Sequence, residues 1–147
     1  MKVRKAVITA AGGGTRFLPV TRSQPKETMP LVDRQLIQFA VEEALKSGIE
    51  QVIMVTAMGK CAIEDYFDRS LELEYFLESK GETELLRKML EISSLTDICC
   101  VRQKEPLGLG HAILIVKDVV GNEPFAVMLP DDIIVNDVPG LRQMLPV

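Results

Sequence analysis

Three consecutive glycines, Gly12, Gly13 and Gly14, stand in AAGGGTRFLP behind the small residues Ala10 and Ala11 and just ahead of Arg16. Glycine admits positive φ and lets backbone N–H groups approach an anion. Ala10 and Ala11 leave room for a flat base, and a guanidinium such as Arg16 can fork onto phosphate oxygens. The same glycines could also serve a plain tight turn. Further on, Lys26 and Glu27 sit between Pro25 and Pro30, which forbids a regular helix and holds two opposite charges on a rigid turn. Such a lysine suits a phosphate, or else an exposed ion pair of little consequence. The run FAVMLPDD ends in Asp131 and Asp132. A carboxylate there could hold a hard divalent cation whose shell phosphates complete, or cap a turn. Asp131 is the metal candidate. Gln103, in VRQKEPLGLGHA, precedes the flexible Gly108 and Gly110, and its amide can donate and accept at once, as reading a pyrimidine edge requires. His111 is the sole histidine. Without a nearby Ser, Cys or second ligand it reads as a packing or capping residue.

Two familiar phosphate motifs are missing. No Gly-Lys-Ser/Thr triplet of a Walker loop occurs in the chain. The dinucleotide fingerprint fails because Phe17 stands at its third glycine position and Pro19 follows closely, which leaves hydride transfer as a remote alternative. The 147 residues carry 17 basic against 21 acidic side chains, a net charge of −4, which argues against nucleic acid as a partner. Within residues 1–34, however, seven basic residues face only Glu27 and Asp33, so this end is expected to attract anions. No apolar run reaches the ~20 residues of a membrane helix, and AVITAA is shorter than a signal-peptide core. The three cysteines fit neither a disulfide framework nor a zinc site. They are expected to be reduced and to act as small buried hydrophobes, with one of Cys99 and Cys100 nearer solvent. A cytoplasmic protein follows from these traits.

The elements that must hold these residues follow from periodicity. Residues 4–9 read as a strand running into the glycine loop, 36–46 as an amphipathic helix stopped by Gly48, and 51–56 as a buried strand. Helices are expected at 60–67, 70–79 and 82–92, whose many acids mark a solvated surface. A strand at 97–102, a helix at 109–116, a strand at 125–129 and a short helix at 138–144 complete the pattern. Strands separated by helices predict an α/β fold with a mostly parallel sheet flanked by helices. Ligands of such sheets sit outside the carboxyl ends of the strands, where the glycine loop lies. Without repeats or long linkers, one domain over 1–147 is the expectation. LRQMLPV ends the chain in an amphipathic segment, which reads as a truncation.

Taken together, AAGGGTRFLP, QPKETMP, VEEALKSGIEQVIMVT, AIEDYFDRSLELE, VRQKEPLGLGHAI and GNEPFAVMLPDD closely resemble the bacterial UTP–glucose-1-phosphate uridylyltransferases, or UDP-glucose pyrophosphorylases, in order along the whole chain. FDRSLELE and RQKEPLGLGHA look particular to this branch rather than to thymidylyl or adenylyl relatives. The resemblance implies a Rossmann-like nucleotidyltransferase fold and a Mg2+-dependent attack of glucose 1-phosphate on the α-phosphorus of UTP, with pyrophosphate released and no protein nucleophile. It implies nucleotide contacts at Ala10, Ala11, Gly12, Gly14 and Glu27, uracil contacts at Gln103 and Gly108, phosphate contacts at Arg16 and Lys26 in catalytic roles, and a metal ligand at Asp131. A homo-oligomer is also implied. Thr9, Gly13 and Thr28-Met29 depart mildly from the family pattern. The larger departure is length: family members continue into a second half that supplies sugar-phosphate residues and a second metal-binding Asp. The readings that stand are a uridylyltransferase represented by its N-terminal half, a non-catalytic nucleotide-binding fragment or a thymidylyl or adenylyl relative, and, remotely, a dinucleotide oxidoreductase.

Overall fold

The computed structural model describes residues 2–145. Strand β1 (Lys5–Thr9) lies beside β4 (Gln51–Ala57) on one side and β6 (Phe125–Met128) on the other, and β5 (Ile98–Gln103) flanks β4. All three pairings are parallel, with Val7 opposite Ile53 and Val127, and Met54 opposite Cys100. The strands form for the expected reason. AVI and VIMV are unbroken apolar runs, as a sheet covered on both faces demands, and Ala6 to Ile8 and Val52 to Val55 are wholly buried.

Alternation along the strands sorts these side chains into two cores. Ala6, Ile8, Val52 and Met54 pack under α1 (Leu36–Lys46) and α2 (Cys61–Phe67) through Ile37, Val41, Ile63 and Phe67. Val7, Ile53 and Val55 pack on the opposite face against Ala112, Val116 and Val120 of the 109–120 segment. Each fully buried aliphatic side chain contributes about 1.5–3 kcal/mol. Exposed ion pairs contribute about 0–1 kcal/mol, so the two apolar layers hold the sheet.

The expected helices occur, with informative differences at their ends. The helix expected at 109–116 ends at Leu114 as α5 (Leu109–Leu114), and a further short helix, α6 (Lys117–Val120), follows where none was expected. The last helix, α7 (Gly140–Met144), starts two residues later than expected, because Val138 precedes Pro139 and a residue before proline is pushed out of the helical region. Glu43 of α1 caps it, Oε1 accepting from the Leu141 N–H at 2.9 Å. Helices α3 (Leu71–Lys80) and α4 (Thr83–Ser93) bury only Leu77 between them, in keeping with an acidic, solvated surface. The hairpin of β2 (Pro30–Leu31) and β3 (Arg34–Gln35) was not legible, being too short to show a period.

Cys100 is the more exposed of the adjacent pair, as alternation predicts, but the expectation of three buried hydrophobes needs correcting. None of the three is buried: Cys61 and Cys100 are exposed and Cys99 is half-buried against the second core. The reason is topological, since β5 is a sheet edge and Cys61 opens a surface helix. Partial withdrawal from water, reinforced by the Glu64 carboxylate, pushes the Cys100 thiol up to about 11. No helix among the described residues is long and apolar enough to cross a membrane.

Candidate nucleotide site

The chain leaves β1 to build β4 and β5 on one side and returns to place β6 on the other. The order reverses at β1, and a crevice opens beyond the carboxyl ends of the strands at such a point. There the structure forms a cavity of about 350 Å³ lined by Ala11, Gly12, Gly13, Lys26, Glu27, Gln103, Gly108 and Asp131. Its volume lies within the usual range of small-ligand pockets. Gln103 ends β5 and Asp131 follows β6, at opposite edges of the four-stranded sheet. Three inter-strand steps put these edges about 14 Å apart, a span suited to a base at one end and phosphates at the other.

The glycine loop begins with the Ala10 N–H donating to the Val55 carbonyl at 2.8 Å, which extends the sheet by one residue. Ala10 is therefore wholly buried under the loop and offers the cavity no side chain. Ala11, Gly12 and Gly13 line it. A Cβ on Gly12 would meet nothing within 4 Å, so the backbone is bare toward open space. Gly14 lies outside the lining and has a different task. Its φ of +64° turns the chain, a Cβ there would come 3.0 Å from the Thr21 methyl, and its carbonyl accepts from Thr21 Oγ1 at 2.7 Å. Arg16, on the 3-10 turn Thr15–Phe17, is exposed and also outside the lining, near enough for its charge to act on Asp131.

Lys26 and Glu27 sit on one 3-10 turn, Lys26–Thr28, but do not pair with one another. Lys26 Nζ reaches Asp131 Oδ2 at 2.8 Å. That hydrogen bond holds the Asp131 carboxyl below the usual carboxylate range, against the opposing effect of partial burial. Glu27 is 1% exposed. Its Oε2 accepts from Lys60 Nζ at 2.8 Å, while its Oε1 is buried without a partner. A buried polar oxygen left so is costly unless a donor meets it, and this one belongs to a residue lining the cavity. Lys60, itself buried, is the site-shaping residue that the sequence reading missed. Its one signal was position: it follows β4, at the carboxyl end of a parallel strand.

The basic end is less free than its composition implies. Lys2, Arg4, Lys5, Lys26 and Arg34 each meet an acid from elsewhere or from the hairpin turn. Among the described residues, Arg16 and Arg22 alone of the seven lack an ion pair. Anion attraction is thus concentrated at the glycine loop rather than spread over the N-terminal segment.

At the far end Gln103 is buried. Its Nε2 donates to the Gly108 carbonyl at 3.2 Å and lies 2.9 Å from His111 Nδ1. Gly108 adopts φ +90°, which a side-chain-bearing residue adopts only with strain. Asp131 and Asp132 face different cavities: Asp132 instead lines a space shared with Arg34, Glu43 and Ile134. No group of three or more metal-ligating side chains gathers among the described residues. Asp131 is a single ionised carboxylate at the cavity, 40% exposed. Mg2+ commonly takes one or two protein carboxylates and fills its octahedron with waters and phosphates, so the donor present fits such an ion.

Residues 5–146 match the family model described as nucleotidyl transferase. The chain is similar to the UTP–glucose-1-phosphate uridylyltransferase YngB of Bacillus subtilis, 58% identical over 99% of this chain and 49% of that protein. Among solved structures it is similar to a UDP-glucose pyrophosphorylase from Acinetobacter baumannii, with TM-score 0.89 and 46% identity over 97% of this chain and 51% of that one. A UTP-bound UGPase from the same organism aligns with TM-score 0.82 and 50% identity, over 88% of this chain and 46% of that one. The chain spans about half the length of the curated relatives it matches.

Proposed function

The chain belongs to the nucleotidyl transferase family, and on that premise we propose that residues 1–147 form one nucleotide-binding unit of a UTP–glucose-1-phosphate uridylyltransferase. The observation that carries this reading is that one cavity is lined both by a base-reading amide, Gln103, and by a charge pair suited to phosphates, Lys26 and Asp131.

In the reaction of the whole enzyme, a phosphate oxygen of glucose 1-phosphate bonds to the α-phosphorus of UTP. The bond from that phosphorus to the oxygen bridging the β-phosphate breaks. UDP-glucose and pyrophosphate result, and no protein nucleophile is needed. The chain's part is positioning and charge compensation. Backbone N–H groups of Ala11 to Gly13 cradle the triphosphate, Lys26 binds a phosphate oxygen, and Arg16 swings from the neighbouring turn to neutralise developing charge. Glu27, its carboxylate held by Lys60, lines the same cavity and contacts the nucleotide. Asp131 would hold Mg2+, which supplies charge neutralisation and polarisation of the phosphorus. Sugar-phosphate contacts belong to a segment that these residues do not include. The three free thiols and acidic surface support a cytoplasmic place without a nucleic-acid partner, and the family resemblance supports a homo-oligomer.

Calorimetric titration with UTP, with and without Mg2+, and with ATP and dTTP as comparisons, tests the proposal. Selective, Mg2+-assisted UTP binding is expected. Failure to bind any nucleotide would overturn it.

A further inference from the structure

Resting on the nucleotide reading above, we infer that His111 is a positioning residue that locks the Gln103 amide, so that the site presents the base with an acceptor and no donor. The Gly108 carbonyl at 3.2 Å turns the NH2 group rather than the amide oxygen toward itself. That contact is long and takes only one hydrogen; the second meets His111 Nδ1 at 2.9 Å, and this shorter contact holds the amide against turning. An amide nitrogen has two hydrogens, and here both are committed to the protein.

His111 can accept only as the neutral tautomer that carries its proton on Nε2. Gln103 Oε1 accepts no hydrogen bond from the described residues, is not among the buried atoms lacking a partner, and belongs to a residue lining the cavity. The face offered to the base is therefore a lone carbonyl oxygen. It meets the imino N–H of uracil, whereas cytosine presents a bare ring nitrogen at that position and is repelled. Were the amide free to turn, its NH2 would serve cytosine as readily. Selectivity at Gln103 thus depends on a residue that need not touch the nucleotide.

Because His111 is the sole histidine, its ring nitrogens can be assigned without ambiguity in a long-range 1H–15N spectrum of the ligand-free 147-residue chain. The spectrum is expected to show a proton on Nε2 and an unprotonated Nδ1. A proton on Nδ1 would overturn the lock. UTP and CTP titrations of the His111→Leu and His111→Asn variants supply the second reading. Leu removes the acceptor and should reduce the UTP-over-CTP ratio about tenfold, the effect of one hydrogen bond. Asn places an oxygen near the lost Nδ1 and should restore the ratio. Unchanged discrimination in the Leu variant would overturn the inference, and so would relaxation in both variants. If the unsubstituted chain bound neither nucleotide, the nucleotide reading would fall with the selectivity it supports, while the tautomer would still decide the lock.

Discussion

Glu27 and Lys60 are the residues on which the candidate site most depends for its shape. Both are buried, 33 positions apart in sequence, and joined at 2.8 Å. Removing one member of a buried pair leaves the other charge uncompensated, at a cost of about 3–5 kcal/mol. Lys60→Met should therefore lower unfolding free energy by about that amount in urea denaturation, and adding Glu27→Gln should recover part of the loss. Additive losses would show that the pair is not energetically coupled. The Lys26–Asp131 pair is more exposed and behaves differently. Its Asp carboxyl is depressed by the Lys26 hydrogen bond, so the pair's contribution is complete above the ordinary Asp value of about 3.9 and disappears only as pH falls through a lower folded value. The Asp131 carboxyl carbon should titrate below about 3.9 by NMR. In Lys26→Met it should move upward, and an unmoved midpoint would remove Lys26 as the cause.

Elements place these residues through the ends of parallel strands, and the segment between β1 and α1 shows how local chemistry can be overridden. Val32 lies in the turn of the β2–β3 hairpin at φ +65° and is 96% exposed. A β-branched residue in the left-handed region costs about 1–2 kcal/mol, with no packing in the described structure to offset it. Asn tolerates this conformation. Val32→Asn should raise unfolding free energy by about 1 kcal/mol in urea melts, and no gain would mean that the turn relaxes around valine. The hairpin escaped the sequence reading because its two-residue strands carry no alternation. The helix at 36–46, by contrast, matched its i, i+3, i+4, i+7 spacing with buried Ile37, Ala40, Val41 and Ala44.

At the scale of the whole molecule, the cavity is assembled from the ends of β1, β5 and β6 and from the Lys26–Thr28 turn. A ligand bridging these segments stabilises them together by mass action. With UTP near 100 times its Kd, global stability should rise by about 2.7 kcal/mol. Hydrogen exchange at the ends of all three strands should then slow in parallel. Protection confined to the glycine loop would argue against one ligand spanning the cavity.

Local pattern in the chain was enough to specify the alternating strands and helices, the glycine loop at the end of the first strand, and Gln103 and Asp131 as candidates. Those features depend on spacing over a few residues, where period and backbone sterics act. Pairing over long separations obeyed no such rule. That Lys26 meets Asp131 across 105 positions, that Glu27 turns inward to Lys60, and that Lys2, Arg4 and Lys5 are already paired with Glu50 and Glu123 became evident only when strand order brought the ends of the parallel strands together. Composition counts charges but cannot say which will be neighbours. The tertiary fold decides that, because electrostatic and hydrogen-bonding energies depend on distance in space and on withdrawal from water.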